Sequence, residues 1–384
     1  ISPWYLLPLI DRWLLGQIIP PMIFAISAFT VISLSVGVMF DLIRKIVEFG
    51  LPLFLALKVL FFSLPSFLVL SFPMAVLLST LLAYGKLSSN SELLALKSLG
   101  IKTSRIISPA IALSILMTGL TFYFNDNLVP TSNKLAENAL RSGIGKSFST
   151  EEGKQNIMFS RYGSRIEQDT NSPTKLNNYL THIFYAAWFE SKQMYDVTVL
   201  DLSRMGSRQI LKAENAFFDK RNTSWIFSNG SLVSIDDNGQ TAIVEFEKYE
   251  YPFDEGPLKL AETPKDAAKM TLKQALEAEK IYQQTGNLKE IRRIRVRIHE
   301  KFTLPFACVV FGLIGSSLGS KSSLRSSRSQ GFGLSVILIL IYYVMSFLFS
   351  SFGVKGLLTP FIAAWSPILI SLSGGYYFLQ KSEV

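Results

Sequence analysis

Few residues in this chain have the types and spacing that covalent chemistry needs. Gly143-Ile-Gly-Lys-Ser147 resembles the end of a phosphate-cradling loop. That pattern asks for a further glycine five residues before Gly145, and Leu140 stands there. Gly315-Ser-Ser-Leu-Gly319 has the outline of a nucleophile elbow, whose serine must sit on a strand-to-helix turn in an α/β sheet. Here the motif closes an apolar helical run among small residues, so close helix packing is expected instead. His299-Glu300 is not half of a helical zinc motif, because Thr303 occupies the place of the second histidine. The only other histidine, His182, lies far off in a strand pattern. The lone Cys308 excludes an internal disulfide and a cysteine-based zinc site, and its apolar surroundings suit a packed thiol. The shortage argues against a hydrolase, a metal centre and a cofactor enzyme; no cofactor of the chain's own is expected.

Three polar features survive. The first is the loop Tyr84-Gly-Lys-Leu-Ser-Ser-Asn-Ser-Glu-Leu-Leu-Ala-Leu-Lys-Ser-Leu-Gly100. Ser91 or Asn90 can cap a short helix that shows Glu92 at its start and repeats leucine at Leu93, Leu96 and Leu99. Such a helix would lie along a membrane face, either as a solvated connector or as a docking element that receives motion from a soluble partner. The second is Arg44-Lys45 at the end of an apolar run, read either as interfacial anchors or as a cationic clamp for an anionic head group. The third is a set of prolines in or beside apolar runs: Pro65, Pro73, Pro109, Pro305, Pro360 and Pro367. They imply kinked helices and nothing more specific.

The elements that must carry these residues follow from composition. Hydrophobic residues make up 49 % of the 384 and charged residues 17 %, against about 25 % charged in soluble domains. The charge is unevenly placed. Residues 130–297 hold 24 Lys and Arg against 22 Asp and Glu, leaving 14 basic and 7 acidic residues for the apolar remainder. A nucleic-acid binder would gather its basic residues on the folded polar segment, so that class is excluded. Basic residues flanking apolar runs point to a membrane surface or anionic lipid.

A bilayer core needs about 20 apolar residues per helix. The spacing predicts six spans, at 16–40, 53–84, 104–125, 299–319, 331–352 and 358–380, the last two separated at Lys355-Gly356. An aromatic lead-in over Trp4–Leu15 suits a helix lying in the membrane interface before the first span. No small-residue cleavage site follows the first apolar run, which is too long for a signal peptide core, so it reads as a retained anchor. As the sequence opens on Ile1, a short preceding piece is expected. One set of short loops carries nine basic residues (Arg12, Lys86, Lys97, Lys102, Arg105, Lys321, Arg325, Arg328, Lys381) and the other carries Arg44, Lys45 and Lys355. The richer side should be cytoplasmic, placing both termini inside and the segment 126–298 outside. Arg292, Arg293, Arg295 and Arg297 at the outer end of the fourth span oppose this, but charges beside a long translocated domain orient weakly.

Within 126–298 the period changes to two. Ile157–Ile166, Thr181–Phe189, Tyr195–Leu202, Gln209–Phe218, Ser224–Ile235 and Thr241–Tyr249 read as strands, the fifth broken by a hairpin-type Asn229-Gly230. Seven or so strands without an intervening helix predict an antiparallel sandwich or open roll. From Thr271 the period is helical, with Leu272, Ala275, Leu276 and Ile281 on one side, until Gly286-Asn287.

Together these pieces resemble the LptF/LptG (YjgP/YjgQ) permeases of the lipopolysaccharide export ABC transporter. The resemblance runs over nearly the whole chain. It is carried by Asp11-Arg12-Trp13, the Gly85–Gly100 loop with its Ser-Glu-Leu, Ile210-Leu-Lys-Ala-Glu-Asn-Ala216, Trp225-Ile-Phe-Ser-Asn-Gly230, His299-Glu-Lys-Phe-Thr-Leu-Pro305, Gly331-Phe-Gly333, Tyr342-Tyr343 and Ala364-Trp-Ser-Pro367. Each piece is weak alone, but their order and spacing are specific.

The resemblance implies a fold of six transmembrane helices with an extracytoplasmic antiparallel β-jellyroll. It divides the chain into spans one to three (1–125, with a coupling helix about 88–100), the jellyroll (126–265), a helical connector (266–298) and spans four to six (299–384). Two such permeases, identical or different, would pair and accept lipopolysaccharide from the inner membrane. A cytoplasmic ATPase dimer, which carries the ATP and Mg, would dock on the loop between the second and third spans. Glu92 matches its key acidic contact, supported by Ser91, Leu93, Leu96 and Gly100. Periplasmic jellyroll bridge proteins would receive the lipid. Arg44 and Lys45 match a basic pair that meets lipid phosphates, while a third basic position of the family falls near Met39. Two rival readings carry no lipid: a force-transmitting ABC-type membrane subunit, and a membrane-tethered assembly protein whose β-domain recruits other β-domains by an exposed edge.

Overall fold

The computed structural model describes residues 8–144, 154–169, 172–190, 192–203, 207–236, 238–262, 270–284, 288–320 and 328–383. The chain divides into two compact units. One comprises Ile1–Leu140, Ala268–Leu272 and Arg292–Val384; the other comprises Arg141–Ala267 and Lys273–Ile291.

The first unit is helical. Helix α1 (Leu9–Leu34) passes through a π-helical turn (Ser35–Met39) into α2 (Phe40–Phe49). Then come α3 (Leu53–Ser89), the short α4 (Glu92–Ser98), and α5 (Thr103–Tyr123), which continues through a second π turn (Phe124–Leu128) into α6 (Val129–Ile144). Six helical stretches are long and apolar enough to cross a membrane: Leu9–Phe49, Leu53–Ser89, Thr103–Leu140, Leu288–Gly319, Gly331–Lys355 and Pro360–Lys381. The last three belong to α9 (Leu288–Gly319), α10 (Arg328–Lys355) and α11 (Pro360–Glu383).

The lead-in differs from the sequence expectation. Trp4–Leu7 lie outside the described residues, and from Leu9 onward the chain enters the first span without a break. Pro8 sits at the N-cap, where its fixed φ starts a helix rather than interrupting one. Asp11, one turn in, accepts from Arg105 Nη1 at 2.6 Å, tying the start of α1 to the start of α5.

Close backbone approach holds α9 against α3 and α5. A Cβ on Gly312 would lie 1.8 Å from Ser114 Oγ, one on Gly315 2.1 Å from Thr80 Oγ1, and one on Gly319 2.8 Å from Tyr84 Cβ. The Gly315–Gly319 motif is therefore a packing seam, as its small residues predict. Hydroxyls along the seam satisfy themselves on their own helices: Thr80 on Val76 O at 2.7 Å and Ser114 on Ala110 O at 2.7 Å. This leaves little need for water between the helices.

The second unit contains a single antiparallel sheet of β1 (Lys154–Asp169), β2 (Ser172–Glu190), β3 (Gln193–Asp201), β4 (Ser207–Asp219), β5 (Ser224–Asp236) and β6 (Thr241–Tyr251), hydrogen-bonded in chain order. Six strands, not seven, are present among the described residues. They form an open, jellyroll-like meander with β1 and β6 as its edges, so of the two expected architectures the open roll is the one found.

One transverse row is left out of the pairing while the register either side of it is unchanged: Asn156, Ala187, Asp196, Glu214, Asn229 and Glu247. In alternate strands its residues take left-handed backbone, with φ 55° at Asn156, 49° at Asp196 and 52° at Asn229. Asn and Asp are the side chains that tolerate this region best. The consequence is a switch of face. Met194 is buried on one side of the row, and Val197 and Val199 on the other; Ala216 is matched in the same way by Ala213 and Leu211. Plain alternation would have turned one half of each strand outward.

This row also corrects the reading of Asn229-Gly230. The pair does not turn the chain; β5 runs through it between two full-length neighbours. Gly230 is required because a Cβ there would lie 2.1 Å from Lys212 O on β4.

The inner face closes on Phe159, Phe184, Trp225 and Phe227, joined by Phe253 and by Leu258 and Ala261 of α7 (Gly256–Glu262). Helix α8 (Leu272–Gln284) buries Ala275 and Ala278, at three-residue spacing, and packs Ile281 against this core. Leu276, expected on the same face, is instead 45 % exposed, one position past Ala275 and so off the three-residue step. Gly286-Asn287 lies outside the described residues.

At the margin of the core, His182 Nε2 lies 3.3 Å from Asp201 Oδ1, and Asp201 also accepts from Ser203 Oγ and Tyr251 Oη at 2.6 and 2.7 Å. Burial, more than any charge, pushes the imidazole below its ordinary 6.5. For Asp201, burial works upward, yet the bonds from Ser203 and Tyr251 hold the carboxyl below its usual range. Both shifts have one sign: the unfolded chain takes up protons first, so acidification destabilises the fold. The β-unit is expected to lose stability as pH falls from about 6.5, and His182→Gln should flatten that first segment of the curve. Hydrogen exchange at Val197–Val199 across pH 7 to 5 would show it; equal slopes in both proteins would contradict it.

Candidate functional site

The first candidate site is the loop between α3 and α5. Helix α3 ends at Ser89, and Asn90 Nδ2 donates to Glu92 Oε1 at 2.8 Å. Ser91 takes left-handed backbone (φ 60°) before α4 and makes no side-chain cap, so the reversal of direction, rather than a serine hydroxyl, sets where α4 begins. Gly100 (φ 81°) ends it: Gly100 N–H donates to Lys97 O at 2.9 Å and Ile101 N–H to Leu96 O at 3.3 Å. This is the left-handed terminus that favours glycine.

Leu93 keys the loop into the helical core. It is 3 % exposed and packs with Leu14 and Ile18 of α1, Ala83, Tyr84 and Leu87 of α3, and Ile106, Ile107 and Ala110 of α5; Leu96 packs on the edge of the same cluster. Tyr84 Oη donates to Ile106 O at 2.8 Å, fixing α3 to α5 beneath the loop. Displacing α4 must therefore displace three spans together, because a close-packed cluster does not deform locally.

Leu99, expected on this buried stripe, is 77 % exposed, since it follows the last helical turn and the chain has already begun to reverse. Leu94, which sequence reasoning passed over, is 60 % exposed. Its signal was available: on a helix anchored by Leu93 and Leu96, Leu94 must point elsewhere. Glu92 is half-buried beside this apolar pair.

The second candidate, Arg44 and Lys45, lies on α2, and the structure separates its members. Arg44 is exposed and bonds Glu48 Oε2 through Nε at 2.8 Å. Lys45 is buried, with Nζ 3.0 Å from Asp41 Oδ2. Adjacent residues on a helix diverge by about 100°, so they do not form one clamp. The two candidate sites are not brought together either: α3, with 37 residues, spans about 55 Å between them.

The remaining chemical candidates stay dispersed. His299 stands edge-on to Phe361 at 5.5 Å, and Glu300 pairs with Arg297 at 2.6 Å. Cys308 is buried against Thr121, with Sγ 3.5 Å from Oγ1. Gly145–Ser147, and with them most of the loop-like glycine motif, lie outside the described residues. Among the described residues no three His, Cys, Asp or Glu side chains gather as metal ligands.

Six apolar crossings, with a roll-like sheet inserted between the third and the fourth, define a polytopic membrane protein of the permease type. The chain matches the family of lipopolysaccharide export system permeases LptF/LptG over residues 12–381, and it belongs to that family. It is thus a multi-pass inner-membrane component of lipopolysaccharide export, a transport protein and not an enzyme. No curated protein matches it.

Proposed function

We propose that this permease extracts lipopolysaccharide from the inner membrane, paired with a second permease of its family, and passes it to a periplasmic jellyroll bridge. A separate cytoplasmic ATPase dimer, supplying ATP and Mg, docks on the α3–α5 loop and drives it. The basic-rich loops then lie in the cytoplasm with both termini, and the β-unit in the periplasm. The observation that carries the reading is α4 itself. It is locked through Leu93 into three spans, while Leu94 and, just past its end, Leu99 are exposed and Glu92 is half-buried at its start, within reach of a partner. An element so built converts a push from below into concerted movement of α1, α3 and α5.

Lipid passage asks for an apolar surface outside the membrane, since each exposed CH₂ costs about 0.8 kcal/mol. The inner face of the sheet supplies one: Leu211 and Leu232 lead across the register to Val244 at the β6 edge, which is 58 % exposed. The opposite part of the roll is filled by Phe184, Trp225 and Phe227, each 0 % exposed. That filling favours a second reading, in which the roll transmits force to a bridge protein and carries no acyl chain.

The test is purification of the full permease complex in mild detergent, with mass spectrometry of bound lipid, beside an Arg44→Glu variant. Bound lipopolysaccharide in the wild type, and about a tenfold lower retention in the variant, is the expected outcome for a lost charge-assisted contact. Lys45→Glu should instead impair folding, because it puts a carboxylate with no cation beside it in a buried position, one turn from the like charge of the exposed Asp41. Complexes free of lipopolysaccharide in every state would remove the extraction reading and leave the force transmitter.

A further inference from the structure

Lys301 is a charged side chain buried in one of the apolar spans that the proposed transport mechanism leaves unused. It lies on α9 with 7 % of its side chain exposed, close to Pro305 and the start of the apolar run. A buried ammonium in a membrane helix is costly, persists only with partners and marks functional positions. Its partners sit in the π turn after α5: Nζ donates to Asn125 O at 3.5 Å and lies 4.0 Å from Asp126 Oδ1. Such turns are rare and recur at functional sites. The same oxygen, Asp126 Oδ1, accepts the backbone N–H of Leu272 at 2.6 Å. Leu272 opens α8 and closes the segment Ala268–Leu272, the only part of the membrane unit between α6 and α9. Met270 is 1 % exposed, so the described end of this segment, 270–272, is anchored through it.

One carboxylate thus holds three pieces of chain. It belongs to the segment that leaves the membrane unit through α6, it receives the segment that returns from the β-unit, and it faces the cation of the fourth span. We propose that Asp126 is a positioning residue that couples displacement of α9, through Lys301, to the returning segment Met270–Leu272. This rests on the transport function proposed above: a push received at α4 must reach the chain that enters the β-unit, and this junction is where the described residues join the two paths. Neutral partners would fill the space as well, and in a membrane interior with less desolvation. A charged pair instead resists separation, so that moving α9 pulls Asp126 and the bonded Leu272 with it.

The experiment uses the full permease reconstituted with its partner permease and ATPase. Asp126→Asn keeps an oxygen that can accept from Leu272 and removes the charge; Lys301→Met keeps the length and removes the cation; Lys301→Arg is the conservative control. Hydrogen–deuterium exchange of the 270–284 segment is measured with and without a non-hydrolysable ATP analogue, alongside lipopolysaccharide released per ATP. In the wild type and in Lys301→Arg, nucleotide should change exchange in that segment. Asp126→Asn and Lys301→Met should abolish the change and lower release per ATP by about tenfold, while ATP turnover stays within about twofold of the wild type. A nucleotide-linked change that persists in both neutral variants overturns the proposal, as does its absence in the wild type. If wild-type exchange responds and the variants do not, yet no lipopolysaccharide is released by any of them, the cargo reading fails and the junction stands.

Discussion

Glu92→Arg is expected to detach the ATPase and reduce ATP-driven lipopolysaccharide release by about a hundredfold, the scale of a charge reversal at a packed contact. The permease itself should fold. Glu92 is half-buried and its described bond is to Asn90, so the loss inside the chain is one exposed hydrogen bond, worth about 1 kcal/mol. Leu93, which anchors α4, is untouched. Glu92→Gln should fall between, because it keeps the shape and one acceptor but not the charge. Leu94→Asp, beside it, should weaken docking by removing an apolar contact exposed at 60 %, whereas Leu93→Ala should loosen the spans without changing the docking surface. Co-purification of the ATPase and stimulation of its turnover by the permease measure the two effects separately. If the ATPase remains bound and stimulated by the Glu92→Arg permease, Glu92 is not the docking residue.

The order of those expectations reflects what the sequence made legible. Runs without charge, such as Gly16–Phe40, declare a membrane helix outright, because only a helix satisfies its backbone in lipid. The period-two patterns at Tyr195–Leu202 and Thr241–Tyr249 declared strands because successive side chains of a strand face opposite sides. What stayed hidden depends on residues distant in sequence. The left-handed Asn156, Asp196 and Asn229 each look like local turn signals, and only pairing across the sheet shows them to be one row. Arg44 and Lys45 read as a basic pair, yet Glu48 and Asp41 one turn away give them separate partners and opposite exposures. In the loop, Glu92 and the anchor Leu93 were readable from spacing, while Leu94 and Leu99 needed to be seen pointing outward. Asp126 gave no signal at all, since its partners lie 146 and 175 residues further along the chain.

The largest expected loss of stability follows from Trp225→Ala. Trp225 is wholly buried in the β-unit, with its ring 4.8 Å from that of Phe184 and 5.5 Å from that of Phe218, and its Nε1 donates to Asp254 O at 2.9 Å. Truncating a buried aromatic of this size costs about 3–5 kcal/mol, and the stranded carbonyl adds about 1–3 kcal/mol. Against a domain stability of about 5–15 kcal/mol, the β-unit should be largely melted at growth temperature while the spans remain inserted. Protease cleavage within 154–251, with the helices protected, would report it. Trp225→Phe is the more informative partner, because it keeps the ring contacts and removes the hydrogen bond and some volume. If acyl chains pass between these aromatics, the closed cluster of Phe184, Trp225 and Phe227 must part for each lipid. A looser cluster would then leave release per ATP unchanged or higher despite lower stability. If the roll only transmits force, its filled core is what makes it stiff, and the same substitution would lower release in step with stability. The sign of that change in Trp225→Phe separates the two proposed readings of the β-unit without altering any charge, and so without touching Glu92 or Arg44, the residues proposed to meet the ATPase and the lipid head group.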